Sequence, residues 1–288
     1  MPLAVIQGAT LRCDHGTSVC KLNVIHATTA QSSQQPIASI LDHEAGQSIG
    51  LFGTCKHVAG PCTPDTPSPW FPGAPQLRLC VPRPPLSSDS FLLCVAHGPA
   101  AIHVEDPGQG GLHVPAAGVA AAPFGPYYYI YRYYDFLRRH PGLSPPDYYL
   151  EYGNKFYQLF TRTGLSDRGE AWLRAVARDL QEAIEALRRA GPEAFDQLEL
   201  DGKAFRKFAF DTHPEIYRKN GFLELSAFDK AEILTLVGGN TSLGEIPELL
   251  KQTGGLAFEA AKHPLATVGD LLDSKFIETP KHILDEIF

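Results

Sequence analysis

Proline placement limits what this chain can fold into. Of its 24 prolines, 16 lie in residues 1–126. Proline fixes φ and donates no backbone N–H, so a stretch interrupted this often builds neither long helices nor wide regular ladders. Charge runs the other way. Residues 1–120 carry 12 of the 57 Asp, Glu, Lys and Arg side chains, and the last 168 residues carry 45. All six cysteines and seven of the eleven histidines also precede residue 120. Two regions with different physics share the chain. The pattern predicts an α+β two-domain protein, with a small all-β domain first and an all-α domain second.

In the first region, short apolar runs between turn residues predict strands at 3–6, 9–13, 21–26, 37–41, 76–81, 91–96 and 101–104. Several alternate, as Lys21-Leu22-Asn23-Val24 and Ala101-Ile102-His103-Val104 do, which suits strands with one buried face. Residues 107–126 are mostly Gly, Pro and Ala with almost no charge and read as a linker. Beyond them the spacing is helical. Trp172, Leu173, Val176, Leu180, Ile184 and Leu187 recur at intervals of three and four, predicting a helix over 167–189 with Ser166 as its N-cap. Ala190-Gly191-Pro192 reads as its stop. Further helices are expected over 127–139 and 146–163, from Thr212 to Asn220-Gly221, from Ser226 to Gly238, over 244–262 and at the C-terminus.

Composition excludes some functions. Hydrophobic content of 44% and charged content of 20% are those of a globular chain. A net charge of -7 offers no basic footprint for nucleic acid or an anionic membrane. No apolar run reaches membrane-spanning length. The start MPLAVIQGATLRCDHG has no basic stretch followed by a long apolar one, so no secretory signal is expected and export would use another route.

An ordered series of short motifs runs through the first region. It opens with Gly8-Ala9-Thr10-Leu11-Arg12-Cys13 and a strand at Leu22–Val24. Pro36-Ile37-Ala38-Ser39-Ile40 with Asp42, Ile49, and Phe52-Gly53-Thr54-Cys55 follow. Then come Pro61-Cys62-Thr63-Pro64, Trp70, Pro72-Gly73, Ser90, Leu92, Cys94 and Ile102, closing at Gly108-Gln109. Each piece is weak alone, but in this order the series resembles the PAAR-like family (domain of unknown function 4280) of contractile injection and type VI secretion systems.

The resemblance implies a conical β-prism over residues 1–110, a linker over 111–126 and a helical extension over 127–288. It implies a trimeric VgrG-like spike as partner, one cone per spike, and a helical extension that is delivered or attaches a cargo effector. Such a chain would wait in the bacterial cytoplasm and leave at the tip of the apparatus without a signal peptide. Two other readings stay open. The helical region could be an antibacterial or cytotoxic effector enzyme, accompanied by an immunity protein. Alternatively, the whole chain could be a free-standing metal-binding protein.

Family members often hold a metal at the apex, and zinc is the expected ion here. Cys13, Cys55, Cys62 and Cys94 match cysteine positions of the family, and Cys20 and Cys80 are extra. Thiolates and imidazoles hold zinc, so His15, His57 and His97, each two or three residues from one of those cysteines, are secondary candidates. The spacing is not that of a zinc finger. Disulfides and plain buried thiols remain alternatives.

The helical region shows no Walker loop, HExxH or GxSxG, and its sequence has no cysteine. Asp211 and His213 could serve as orienting carboxylate and general base, with Glu151 as a second carboxylate. Against this, Asp-Thr also suits a helix start. The aromatic run Tyr127–Tyr134 carries one arginine and reads as a packing surface toward the β domain or another subunit.

Overall fold

A computed structural model of the protein describes residues 1–26, 30–74, 84–114, 117–161 and 164–240. It has an antiparallel sheet region first and a helical region from Tyr128 onward, an α+β layout. The strands are β1 (Thr10–Cys13), β2 (Val19–Lys21), β3 (Gln31–Ser32), β4 (Gln35–Pro36), β5 (Phe91–Cys94) and β6 (Ala100–Asp106). Four of them form one sheet in the order β2-β1-β6-β5, and β3 pairs with β4. In β1, Leu11 faces Val104 and Cys13 faces Ile102, while Leu92 of β5 also faces Ile102. These side chains enter a core with Val5, Leu22, Phe52, Trp70 and Leu86.

Some expected strands are cut short, and the backbone donors explain it. The run at 21–26 leaves the ladder after Lys21. Val24 N–H goes instead to Gln7 Oε1 at 2.7 Å, and the N–H groups of Ile25 and His26 go to Asp42 Oδ1 at 2.9 and 2.8 Å. Segments 3–6 and 37–41 are reduced to single bridges, among them Ala4 to Ser87, Ile6 to Ile37 and Ser39 to Pro85. Pro36, Pro84 and Pro85 supply no donors that would extend them. The expected strand at 76–81, with Cys80, lies outside the described residues.

The helices are α1 (Tyr128–Arg139), a π-helical stretch (Tyr148–Asn154), α2 (Lys155–Phe160), α3 (Asp167–Ala190), α4 (Pro192–Leu200), α5 (Gly202–Lys219) and α6 (Ala227–Asn240). The chain divides into two compact units, Met1–Arg162 with Ala177–Ala209, and Thr163–Val176 with Phe210–Phe288.

In the first unit, α1 lies against the sheet. The Tyr131 ring is 5.1 Å from that of Phe71 and 6.0 Å from that of Phe91, and its hydroxyl bonds Ser68. The Tyr134 ring is 5.5 Å from Phe91. All four residues of β5 are buried, because the core takes Leu92 and Cys94 while α1 covers Phe91. The segment that composition reads as a linker is held by side chains. Arg138 donates to the carbonyls of Ala117 and Gly118 at 2.8 and 2.7 Å. Arg188 reaches Val119 O, and Arg132 reaches Ala120 O. Gln181 both donates to and accepts from Gly125 at 2.9 Å.

In the second unit, Ser166 and Ser226 cap α3 and α6 by accepting the N–H groups of Gly169 and Asp229 at 3.2 and 3.0 Å. Trp172 packs its ring 5.3 Å from Tyr217 and 5.5 Å from Phe222.

Two helix expectations are revised. Thr212 does not start a helix, because α5 begins at Gly202 and runs through Thr212 and Pro214. The expected stop at Ala190-Gly191-Pro192 is where α3 ends, and Pro192 is also the first residue of α4, where its missing N–H breaks no intrahelical bond. The stretch 146–163 splits into the π-helical turn and α2. The helices expected over 244–262 and at the C-terminus lie outside the described residues.

Candidate functional site

Four cysteines converge. Cys13 closes β1, Cys94 closes β5, and Cys55 and Cys62 flank one tight turn. They are 2%, 5%, 4% and 4% exposed and share one core. Their thiols influence one another in a series, Cys13 with Cys94, and Cys62 with both Cys13 and Cys55. Backbone N–H groups add to it, from His15 to Cys13 and from Ala96 and Asp65 to Cys94. The bond with Cys94, and then burial, keeps the Cys13 thiol far above the ordinary range. Cys94, which accepts that bond, is drawn down to about 6. Burial pushes Cys62 and the half-buried Cys20 upward. All five described cysteines are free.

Beside this core two loops are fastened together. Gly16 bridges Cys55, Lys56 N–H donates to His15 O at 2.8 Å, and Thr17 N–H donates to Thr54 O at 3.1 Å. The join sets His15 and His57 with their Nε2 atoms 3.0 Å apart. Burial, then the neighbouring His57, lowers the His15 pKa. His97 stands exposed in the turn between β5 and β6. His103 Nε2 lies 3.2 Å from Asp14 Oδ1, and Tyr134 donates to the same carboxylate at 3.4 Å. Burial opposes ionisation of Asp14, but the bond from His103 and its neighbours leaves the pKa below the ordinary value.

Among the described residues, no group of three or more His, Cys, Asp or Glu side chains could hold a metal ion. The four cysteines are buried, and the paired imidazoles belong to the more exposed loops beside them.

The polar signature residues of the β region act as backbone clamps. Asp42, fully buried, accepts the N–H groups of Ile25, His26 and Ser39 at 2.9, 2.8 and 2.7 Å. Trp70 Nε1 donates to Asp42 O at 2.9 Å. Ser90 Oγ donates to Pro72 O at 2.5 Å. Gln109 donates to Ala4 O at 2.7 Å and accepts from Gly111 and Leu112, each at 2.8 Å. Gly53 has a φ of +72°, and a Cβ there would meet Thr17 Oγ1 at 2.7 Å.

The helical candidates fall on two elements, the π-helical stretch and α5. Asp211 and His213 both sit on α5, two positions apart, and such residues point to different sides of a helix. Asp211 is exposed and His213 is buried, with its ring 5.5 Å from Phe210 and 5.6 Å from Tyr217. Glu151 is exposed on the π-helical turn of the first unit.

Sequence reading missed a buried ionic network in the first unit. Arg132 is fully buried and bonds Asp135 at 3.1 Å, with Glu185 at 3.6 Å. Tyr128 donates to Glu185 at 3.1 Å, Arg188 pairs with Glu185 at 2.6 Å, and Arg139 joins Asp135 to Glu199 at 3.1 and 2.5 Å. Tyr149 completes it on Glu199, whose pKa burial raises. The one available signal was Arg132 inside an aromatic run, a charge at a position the helical period buries.

No curated protein and no solved structure matches the chain. Residues 5–109 match the family described as Domain of unknown function (DUF4280), a span that takes in the whole sheet and every signature residue from Gly8 to Gln109.

Proposed function

We propose that the β region is a spike tip that caps the trimeric spike of a contractile injection or type VI secretion system, and that the helical region travels with it. The observation that carries this reading is the use of the signature side chains. Asp42, Trp70, Ser90 and Gln109 spend their polar atoms on backbone groups within the domain. A fold that needs rigidity without a large apolar core gains it from such clamps, since each satisfies a buried backbone group. A site for turning over a substrate would leave polar atoms directed outward.

The docking of α1 over Phe71 and Phe91 makes the full chain the right material for the test, because removing α1 would expose both rings. Co-expressed with its cognate spike trimer, the full chain is expected to elute as a complex of one copy per trimer, measured by size exclusion with light scattering. Elution of the two proteins apart would reject the reading.

A further inference from the structure

We propose that the hairpin of β3 and β4, with the amide side chains beside it, is the docking face of the β region, and that Gln31, Gln34 and Gln35 bond unpaired backbone N–H and C=O groups at a partner's sheet edge. The inference rests on the spike-tip reading, under which that partner is the end of the spike, and it adds the surface and the chemistry of the contact.

Register fixes where this face lies. Thr10 faces Asp106 at one end of the four-stranded sheet, while Cys13 and Cys94 close their strands at the other. Gln7 precedes β1, Asn23 follows β2 and Gln109 follows β6, so all three belong to the Thr10–Asp106 end. The hairpin joins the same end. Gln7 N–H donates to Pro36 O at 3.0 Å, Ile6 bridges Ile37, and Ser32 Oγ donates to Gln109 Oε1 at 3.4 Å. A seam of amides continues from it: Gln7 Nε2 donates to Asn23 Oδ1 at 3.4 Å, and Asn23 Nδ2 donates to Gln47 O at 3.1 Å.

The hairpin turn is strained. Its central residues Ser33 and Gln34 have φ of +50° and +64°. A turn with both central residues in the left-handed region ordinarily takes Asn-Gly, because a larger side chain is disfavoured there. Ser33 and Gln34 are exposed, so burial does not account for the choice. Strain of this kind collects at recognition sites.

The chemistry of the face selects the partner. From Ala27 to Leu41 no side chain carries a charge, and Gln31, Gln34 and Gln35 are exposed. A glutamine amide both donates and accepts, and a half-turn of the group exchanges the two. It matches either group of an open strand edge, N–H or C=O, without the desolvation cost of a charge. The exchange also suits one chain seated on three identical subunits, which offer it the same groups in three orientations. Charges at the margin are engaged within the domain. Lys21 Nζ donates to Thr10 Oγ1 at 2.6 Å, and Asp106 accepts the Gly108 N–H at 2.9 Å. The cysteine end instead exposes Asp14, Lys56, His57 and His97.

The test uses the native full chain and its cognate spike trimer. Hydrogen exchange with and without the trimer is expected to slow in peptides covering 30–37 and to stay unchanged in those covering 56–60. The double substitution Gln34→Glu and Gln35→Glu is expected to weaken binding at least about tenfold. Ala59→Glu, in the turn at the cysteine end, should change it less than about twofold. Binding without protection at 30–37, or with protection at 56–60 instead, would overturn the inference and leave the spike-tip reading standing. Equal affinity of the double variant and the native chain would do the same. No complex at all would reject both. A native chain that is dimeric alone, and monomeric after the double substitution, would assign the hairpin to self-association and also overturn the inference. The exchange measurement needs no variant, so a double variant that failed to fold would not weaken the test.

Discussion

Asp229 shows how much one side chain can hold. It is fully buried, and its carboxylate accepts the Ser166 N–H at 2.8 Å, the Ser166 hydroxyl at 2.7 Å and the Ser226 hydroxyl at 2.8 Å. Those serines cap α3 and α6, so a single carboxylate ties two helix starts together. Gly169 belongs to the same arrangement, because a Cβ there would meet Asp229 Oδ1 at 2.7 Å. Burial works against the charge, but the bonds from Ser166 and Ser226 outweigh it and hold the pKa below the ordinary value. A depressed folded value sets the sign. The contribution is complete above the unfolded value of about 3.9 and is lost as pH falls through the lower folded value. Asp229→Ala is expected to cost about 2 kcal/mol at neutral pH, read from urea unfolding. The gap to the native chain should narrow below about pH 4; a gap independent of pH would mean that the charge is not the stabilising feature. The caps at Ser166 and Ser226 were legible in sequence, since each serine directly precedes a periodic helix. The carboxylate joining them was not, because Ser166 and Asp229 are 63 residues apart.

At the scale of elements, α1 does two jobs from one sequence run. Tyr131 and Tyr134 cover the β5 side of the sheet, and Arg132, Asp135 and Arg139 join the helical network. The run Tyr127–Tyr134 announced a packing surface by its tyrosines, but its period alone did not say what each side would meet. β5 gave the complementary signal. Phe-Leu-Leu-Cys lacks alternation, which marks a strand covered on both faces. Where sequence reading went astray, local rules competed. Asp211-Thr212-His213-Pro214 has the chemistry of a helix start, yet it lies inside α5. Packing of Phe205 and Ala209, both buried, extends α5 through the tempting cap. Tyr131→Ala removes two ring contacts and the bond to Ser68, and is expected to cost about 3–4 kcal/mol. Tyr127→Ala, at the half-buried end of the run, should cost less than about 1 kcal/mol. Equal losses for the two in urea titrations would contradict the docking of α1 on the sheet.

For the whole molecule, the decisive stretch is the one that composition marks as loosest. Residues 117–126 are rich in Ala, Gly and Pro with no charged side chain of their own, which is why sequence reading takes them for a tether. Their constraint comes from elsewhere in the chain. Arg132 and Arg138 of α1, and Gln181 and Arg188 of α3, supply the donors that hold the carbonyls of Ala117, Gly118, Val119, Ala120 and Gly125. A segment's own composition cannot report donors carried by distant helices. Such anchoring would let force on the β region pass into α1 and the helices packed with it. Proteolytic nicking follows the population of locally opened states, so a clamped segment resists it even when rich in small residues. Brief proteinase K treatment of the native chain is therefore expected to leave 117–126 uncut, as read by mass spectrometry of the fragments. The double substitution Arg138→Ala and Arg188→Ala should open that segment to cleavage at least about tenfold faster, a loss of local protection worth about 1.4 kcal/mol. If the native chain is cut there first, yielding a stable fragment of the β region, the arginine clamps do not hold in solution and the helical region is a tethered passenger.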